Sequence, residues 1–148
     1  MDSNEIKPDT DFMLRCIELA KISKEHEESP VGSVVVLNGK IIGEGVESVK
    51  ARNDLSFHSE IEAIRDACQY LGHRDLSGCV LYSTHEPCMM CSYIVRQTRI
   101  KKVVFGIPVD DVGGFSSELK VLTDTSVKKW NSVPEIIAGF MKEKCLSV

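Results

Sequence analysis

Two short stretches of the chain carry residue types that can act together in catalysis. One reads His58-Ser59-Glu60 and the other reads Pro87-Cys88-Met89-Met90-Cys91. Two cysteines three positions apart on the first turn of a helix lie on one face, and the amino-terminal end of a helix favours their thiolates. Thiolate sulfur and imidazole nitrogen are ligands that zinc prefers. The two stretches therefore predict a metal site built from Cys88, Cys91 and His58.

A zinc ion held by these three residues keeps a fourth position for water, which is typical of a catalytic site, whereas four protein ligands close a structural site. Glu60 lies two residues after His58. We therefore expect Glu60 to move protons at that water, first as general base and then as general acid. Two alternatives remain for the cysteines: a thiol redox pair, and a structural zinc site with a fourth ligand elsewhere.

The pattern around these stretches alternates strands and helices. β-branched residues flank Asn38-Gly39, the strongest short-range signal for an antiparallel hairpin. The later order of strand, helix and strand implies parallel pairing with a right-handed crossover. The expected elements are a first helix capped by Thr10 or Asp11, hairpin strands over 31–37 and 40–46, a helix over 58–71, a strand over 79–84, a helix from Pro87 to about Gln97, a strand over 101–107, and, after 135, a short strand or turn and a last helix.

The residues quoted above resemble the zinc-dependent cytidine-deaminase superfamily, whose signature is His-x-Glu followed by Pro-Cys-x-x-Cys. The resemblance is closest to the branch that contains tRNA adenosine, guanine and cytosine deaminases. It implies an α/β fold, a three-layer α/β/α sandwich whose five-stranded mixed sheet begins with an N-terminal hairpin and ends in parallel strands, usually in a homodimer. It also makes His58, Cys88 and Cys91 the zinc ligands and Glu60 the proton shuttle. The hairpin entry Pro30-Val31-Gly32 and residues 99–106 extend the likeness over most of the chain.

The same resemblance indicates residues that contact the substrate. In related enzymes the backbone amide after the ligand histidine, here that of Ser59, orients the ring. The carbonyl before the motif proline, here that of Glu86, accepts a hydrogen bond from the leaving amino group. Val31 at the hairpin entry and Asn53 are further expected contacts, and Asn53-Asp54 also fits an Asx-type turn that leads into the helix.

One position departs from the pattern of this branch. Its members usually carry asparagine eleven residues before the ligand histidine, where the amide binds the base, and this chain has Glu47 there. An ionised carboxylate only accepts hydrogen bonds, so it repels a ring edge that carries lone pairs, such as that of adenosine. A ring that presents N–H donors, such as an aminopurine, pterin or triazine, becomes the better candidate.

The amino-acid composition and charge of the chain limit which class of protein it can be. A chain of 148 residues with 43% hydrophobic and 27% charged residues is expected to form one domain over residues 1–148. No apolar run is long enough for a membrane span, and the acidic amino terminus does not match a secretion signal, so we expect a cytoplasmic protein. The net charge of −4 makes tRNA a disfavoured partner. The basic residues expected near the site are Arg96, Arg99, Lys101 and Lys102.

The sequence thus predicts a zinc-dependent hydrolase that deaminates a small amino-bearing heterocycle, a free nucleobase or nucleoside, and releases ammonia. The expected partners are this small molecule and a second copy of the chain in a homodimer. Two alternatives stay open, a tRNA-specific adenosine deaminase and an inactive zinc-bound partner subunit, and the intact Glu60 argues against the second. The remaining histidines, His26, His73 and His85, are expected to have no role in the site.

Overall fold

The structure, a computed structural model, describes residues 8–130 and 132–148. These residues form helices and strands that alternate along most of the chain. In chain order they are α1 (Thr10–Glu25), β1 (Gly32–Leu37), β2 (Lys40–Val46), α2 (Val49–Arg52), α3 (Ser59–Leu71), β3 (Cys79–His85), α4 (Met89–Thr98), β4 (Lys102–Ile107), β5 (Glu135–Ala138) and α5 (Lys142–Leu146).

The strands form one mixed sheet in the order β2-β1-β3-β4-β5. β1 is antiparallel to both β2 and β3, whereas β3, β4 and β5 run parallel to one another. Asn38 and Gly39 connect β1 to β2 with φ angles of 51° and 77°, the pair of positive values that a two-residue hairpin turn requires. The predicted hairpin and the parallel last strands are therefore confirmed.

Helices cover both faces of the sheet, which confirms the three-layer sandwich. Each face buries its own apolar cluster between sheet and helices. On one face α3 and α4 contribute Ala63, Ile64, Ala67 and Val95, which pack on Val35, Leu81 and Val103. On the other face α1 and α5 contribute Met13, Cys16, Ile17 and Cys145, which pack on Val34, Tyr82 and Val104.

Two helices begin one or two residues away from the predicted positions. The N-cap of α1 is Asp9, whose side chain accepts a hydrogen bond from the Asp11 backbone N–H at 2.8 Å, so neither Thr10 nor Asp11 is the cap. The N-cap of α4 is Cys88, so this helix starts after Pro87 rather than at it. Within the described part of the chain, no helix is both long and apolar enough to cross a membrane.

Two glycines of β2 let α3 lie directly on the sheet. A Cβ at Gly45 would sit 2.0 Å from the carbonyl oxygen of Ser59, and one at Gly43 would sit 2.2 Å from that of Ala63. Any larger residue at either position would push the helix away. Because Ser59 opens α3, this close contact fixes the start of the helix, and with it His58, against the sheet.

Candidate active site

The residues expected to do chemistry meet where α3 and α4 begin. His58 is the N-cap residue of α3, Cys88 is the N-cap residue of α4, and Cys91 lies one turn further along α4. The side chain of Asp54 accepts hydrogen bonds from the backbone N–H and hydroxyl of Ser56 at 2.9 and 2.8 Å. This Asx-type turn shapes the segment that leads into His58.

The three expected ligand atoms lie at the separations that one zinc ion requires. The Sγ atoms of Cys88 and Cys91 are 3.6 Å apart, and the Nδ1 atom of His58 is 3.6 Å from the first and 3.5 Å from the second. A tetrahedral zinc ion separates two sulfurs by about 3.8 Å and a sulfur from a nitrogen by about 3.6 Å. The donor set therefore fits zinc. Within residues 8–130 and 132–148 this cluster has three members, which leaves a coordination position for solvent.

The charges of this cluster suit a cation. The hydrogen bond from the Cys91 thiol, followed by that from His58, lowers the pKa of Cys88 to about 4. The Cys88 thiolate in turn raises the pKa of His58 to about 9. The same hydrogen bond with Cys88 and then burial raise the pKa of Cys91. These shifts favour a thiolate at Cys88, a thiol at Cys91 and an imidazolium at His58.

Glu60 lies in the wall of a cavity of about 450 Å³ beside the metal cluster. Its side chain is buried, and the Ser59 hydroxyl donates a hydrogen bond to its Oε1 atom at 3.1 Å. Burial, followed by the nearby Glu47 carboxylate, raises the pKa of Glu60 to about 8. A carboxyl that titrates close to neutral pH can both take up and release a proton during a reaction. The lining residues are Ser29, Pro30, Val31, Glu47, His58, Glu60, His85, Glu86, Cys88 and Val109.

Most of the expected substrate contacts lie around this cavity. Val31, Glu47 and Glu86 line it, and Ser59 lies completely buried behind it. The Ser59 backbone N–H, expected to orient the ring, donates instead to Oε1 of Glu47 at 2.8 Å. Asn53 is apart from the others: it is the exposed C-cap residue of α2, with φ of 49°, and it does not line the cavity.

His85 lies in the cavity wall, although the sequence gave no reason to place it there. It is half-buried, and its Nδ1 atom is 3.1 Å from the Thr84 hydroxyl. Burial lowers the pKa of His85, which keeps the imidazole neutral. One feature of the sequence could have placed His85 in the site. This histidine ends β3, immediately before Glu86, and the carboxyl ends of parallel strands commonly carry binding residues.

The side chain of Glu86 has a role that the resemblance did not indicate. Its carboxylate accepts hydrogen bonds from the backbone N–H groups of Val109, Phe115 and Ser116 at 3.0, 2.9 and 2.7 Å, and from the Ser116 hydroxyl at 2.6 Å. It therefore holds the loop over 108–117 against the start of α4. A Cβ at Gly113 would lie 1.9 Å from Oε2 of Glu86, so this loop needs glycine to pass the carboxylate.

Two of the four basic residues expected near the site, Arg96 and Lys102, are buried, whereas Arg99 and Lys101 are exposed. Arg96 is buried and donates to the carbonyl oxygens of Val121 and Asp124 at 2.9 Å each, which ties the segment before β5 to α4. Lys102 is also buried and pairs with Glu135 at 3.3 Å. These two cations therefore stabilise the fold and are not available to phosphate groups.

Comparison with known proteins finds deaminases both by sequence and by structure. A family model described as the cytidine and deoxycytidylate deaminase zinc-binding region matches residues 6–107. A tRNA-specific adenosine deaminase of Aquifex aeolicus is 36% identical over 89% of this chain and 93% of its own, and one of Bacillus subtilis is 37% identical over 90% and 81%. A solved structure from a study of A-to-I editing by tRNA:A34 deaminases superimposes with a TM-score of 0.86 at 30% identity, over 94% of this chain and 99% of the other.

These relatives contradict two predictions from the sequence. The first is that a free nucleobase or nucleoside is the substrate, and the second is that tRNA is a disfavoured partner. The curated relatives, at 36% and 37% identity, carry the name of a tRNA-specific enzyme instead. The expected homodimer stays a prediction.

The predicted reaction class and cofactor are confirmed. The matched region is a zinc-binding region of deaminases, and it contains Glu60 and the imidazole and two thiols that the structure places at zinc-binding separations. The enzyme is a zinc-dependent hydrolytic deaminase, which leaves no ground for an inactive partner subunit. The chain therefore belongs to the cytidine and deoxycytidylate deaminase family of zinc-dependent enzymes.

Proposed function

We propose that this chain converts adenosine to inosine in tRNA. Its likeness to tRNA-specific adenosine deaminases over about nine-tenths of the chain carries the proposal. The cavity beside the metal cluster, at about 450 Å³, is of a size that takes a purine base. The single domain over residues 1–148 and the cytoplasmic location stay predictions.

Glu47 is compatible with adenosine once its environment is considered. The argument against adenosine assumed an ionised carboxylate, but burial raises the pKa of Glu47 and so favours the neutral carboxyl. One of its oxygens accepts from the Ser59 backbone N–H at 2.8 Å. The other oxygen, when protonated, donates an O–H to a ring nitrogen, as the amide of asparagine does. We therefore propose that neutral Glu47 binds the base.

Net charge was a poor guide to tRNA binding because phosphate contacts depend on local cations. The Phe57 ring, immediately before His58, is flanked by two guanidinium groups, that of Arg52 at 5.1 Å and that of Arg65 at 4.4 Å from the ring centroid. Both arginines are exposed. This cation–aromatic group beside the metal cluster suits a phosphate next to a base inserted into the cavity.

We propose that His58, Cys88 and Cys91 hold the zinc ion, which supplies Lewis acidity that makes water a nucleophile near neutral pH. Ionised Glu60 takes a proton from the attacking water and gives it to a ring nitrogen as the new C–O bond forms. It takes the second water proton and gives it to the amino group, whose C–N bond then breaks. The products are inosine and ammonia, so atoms and charge balance.

The remaining contacts of the substrate follow from the cavity wall. The backbone carbonyl of Glu86 is proposed to accept a hydrogen bond from the departing amino group, and Val31 to pack on the ring. Both residues line the cavity beside Glu60. Asn53 is proposed to contact tRNA outside the cavity, since it is exposed on the segment that joins Glu47 to His58.

Inosine formation tests the proposal directly. Zinc-loaded protein is incubated with a tRNA anticodon stem-loop that contains adenosine, and in parallel with free adenosine, guanine, cytosine and aminotriazines. We expect inosine from the stem-loop and little ammonia from the free rings, and no product from Glu60→Ala. A higher kcat/KM on any free ring than on the stem-loop would contradict the proposal.

The salt dependence of binding tests the role of the exposed arginines that flank Phe57. Arg52→Ala is expected to weaken stem-loop binding and to reduce the slope of log Kd against log salt by roughly one. Arg74 is a matched control because it is exposed after α3 ends, at the opposite end of that helix from His58. If Arg74→Ala changes the slope as much as Arg52→Ala, the arginines that flank Phe57 have no specific role.

A further inference from the structure

Three buried serines connect the middle of the sheet to Glu60. Ser33 on β1 and Ser83 on β3 are directly opposite each other in the antiparallel pair, and their Oγ atoms are 2.9 Å apart. Ser33 Oγ also lies 2.7 Å from Ser59 Oγ. Ser59 Oγ donates to Oε1 of Glu60 at 3.1 Å. The hydroxyls form a continuous chain that ends on the carboxylate.

The surroundings of these serines are apolar. All three have no exposed surface, and the next residues on the same face of β1 and β3, Val35 and Leu81, belong to the hydrophobic core. A hydroxyl buried among such neighbours costs free energy unless it is hydrogen-bonded. Packing alone therefore favours alanine or valine at these positions, and the hydroxyls need another explanation.

Each serine has a single hydroxyl proton, and two of those protons have a choice of acceptor. The Ser59 proton can go to Glu60 or to Ser33 Oγ, because either serine of that pair can be the donor. The Ser33 proton can go to Ser59 Oγ or to Ser83 Oγ. The Ser33–Ser59 hydrogen bond can therefore run in either direction, whereas in the Ser33–Ser83 bond Ser33 is the donor.

Ser59 is the residue that connects the sheet to the carboxyl. Its hydroxyl contacts Ser33 Oγ on one side and Oε1 of Glu60 on the other. The contact with Ser33 fixes where Ser59 Oγ lies, and Ser59 Oγ in turn holds Oε1 of Glu60.

We propose that Ser59, supported by Ser33 and Ser83, is a positioning residue that holds the Glu60 carboxyl in one orientation at the cavity wall. The inference rests on the proposed function, in which Glu60 is the catalytic residue. Without the chain, the carboxyl loses its partner on Oε1 and can rotate away from the water.

The experiment compares serine variants of the zinc-loaded enzyme on the tRNA stem-loop. We expect Ser59→Ala to lower kcat about five- to tenfold with KM unchanged, the effect of losing one ordinary hydrogen bond. Ser33→Ala is expected to lower kcat about twofold, and the double variant no further than Ser59→Ala alone, because Ser33 acts through Ser59. Ser92→Ala is the control, since Ser92 is equally buried but donates to the Pro87 carbonyl and has no link to Glu60.

Several outcomes overturn the inference. These are an unchanged kcat in Ser59→Ala, a change in KM alone, or multiplicative losses in the double variant, the last being expected if the serines only pack. Urea unfolding gives a test that needs no substrate. We expect the midpoint lost by Ser59→Ala/Glu60→Ala to be smaller than the sum of the two single losses, and additive losses overturn the inference. Absence of inosine with this coupling intact refutes the proposed function alone.

Discussion

The carboxylate of Glu86 holds the loop over 108–117 in place. The loss of stability on its replacement by glutamine can therefore be calculated from its hydrogen bonds. The carboxylate accepts four hydrogen bonds, two on each oxygen. Glutamine keeps one acceptor oxygen and turns the other into an N–H₂ donor. In the better of its two orientations, the amide nitrogen faces the Val109 backbone N–H and the Ser116 hydroxyl. The hydroxyl can rotate and accept a hydrogen bond from the amide, whereas the Val109 N–H can only donate.

The cost follows from that count. The Val109 N–H is left without an acceptor, which costs about 1–3 kcal/mol, and the two bonds to the remaining oxygen lose their charge-assisted part, about 1 kcal/mol each. Removing a buried charge offsets some of this loss. We expect Glu86→Gln to lower the free energy of unfolding by about 2–4 kcal/mol, a large share of the roughly 5–15 kcal/mol typical of a domain.

Urea unfolding of the zinc-loaded protein, followed by the fluorescence of Trp130, the one tryptophan of the chain, measures this loss. Ser116→Ala removes one of the four bonds and is expected to cost about 1 kcal/mol. Glu118→Gln is the matched control, because Glu118 is exposed and lies two residues after Ser116, just beyond this loop. If Glu86→Gln is no less stable than Glu118→Gln, the carboxylate does not hold the loop and the reasoning is wrong.

Three further predictions concern the metal, the base and the helix. Zinc binding at pH 7 should release about two protons, one from His58 and one from Cys91, because zinc binds neutral imidazole and thiolates and Cys88 is already a thiolate. Calorimetry in buffers of different ionisation enthalpy counts the released protons. Release of nearly no protons contradicts these protonation states of His58 and Cys91. Glu47→Gln should retain activity above the pH at which wild-type Glu47 ionises, since glutamine stays a donor; identical alkaline limbs of the kcat/KM profiles contradict this role. Gly45→Ala should unfold at markedly lower urea concentration, because its Cβ meets the α3 backbone; an unchanged midpoint contradicts the close contact.

His58 lies 30 positions before Cys88, and the family motif, not local spacing, connects it to the cysteines. The cysteine pair could be predicted from local spacing, because Cys88 and Cys91 share a helix turn. The hairpin followed for the same reason, since Asn38-Gly39 sets the turn without help from distant residues. Features that a few adjacent residues or a known motif determine could therefore be predicted.

The groups that support the site could not be predicted, because their partners are far apart in the chain. Glu86 accepts from residues 23 to 30 positions away, and Arg96 donates to carbonyls 25 and 28 positions away. No periodicity or motif signals such pairs. Glu47 shows a related limit: its position was evident, but its protonation state depends on burial, which only the fold determines. The wrong substrate prediction relied on an ionised Glu47 and on the net charge of the chain.

The two carboxyls of the cavity also depend on each other in a way that suits the reaction. The Glu47 carboxylate is one of the causes that raise the pKa of Glu60, second to burial. On the proposed function, a base that accepts a hydrogen bond from neutral Glu47 would remove that charge and so lower the pKa of Glu60. We therefore infer that substrate binding favours the ionised Glu60, which has to accept the first proton from water.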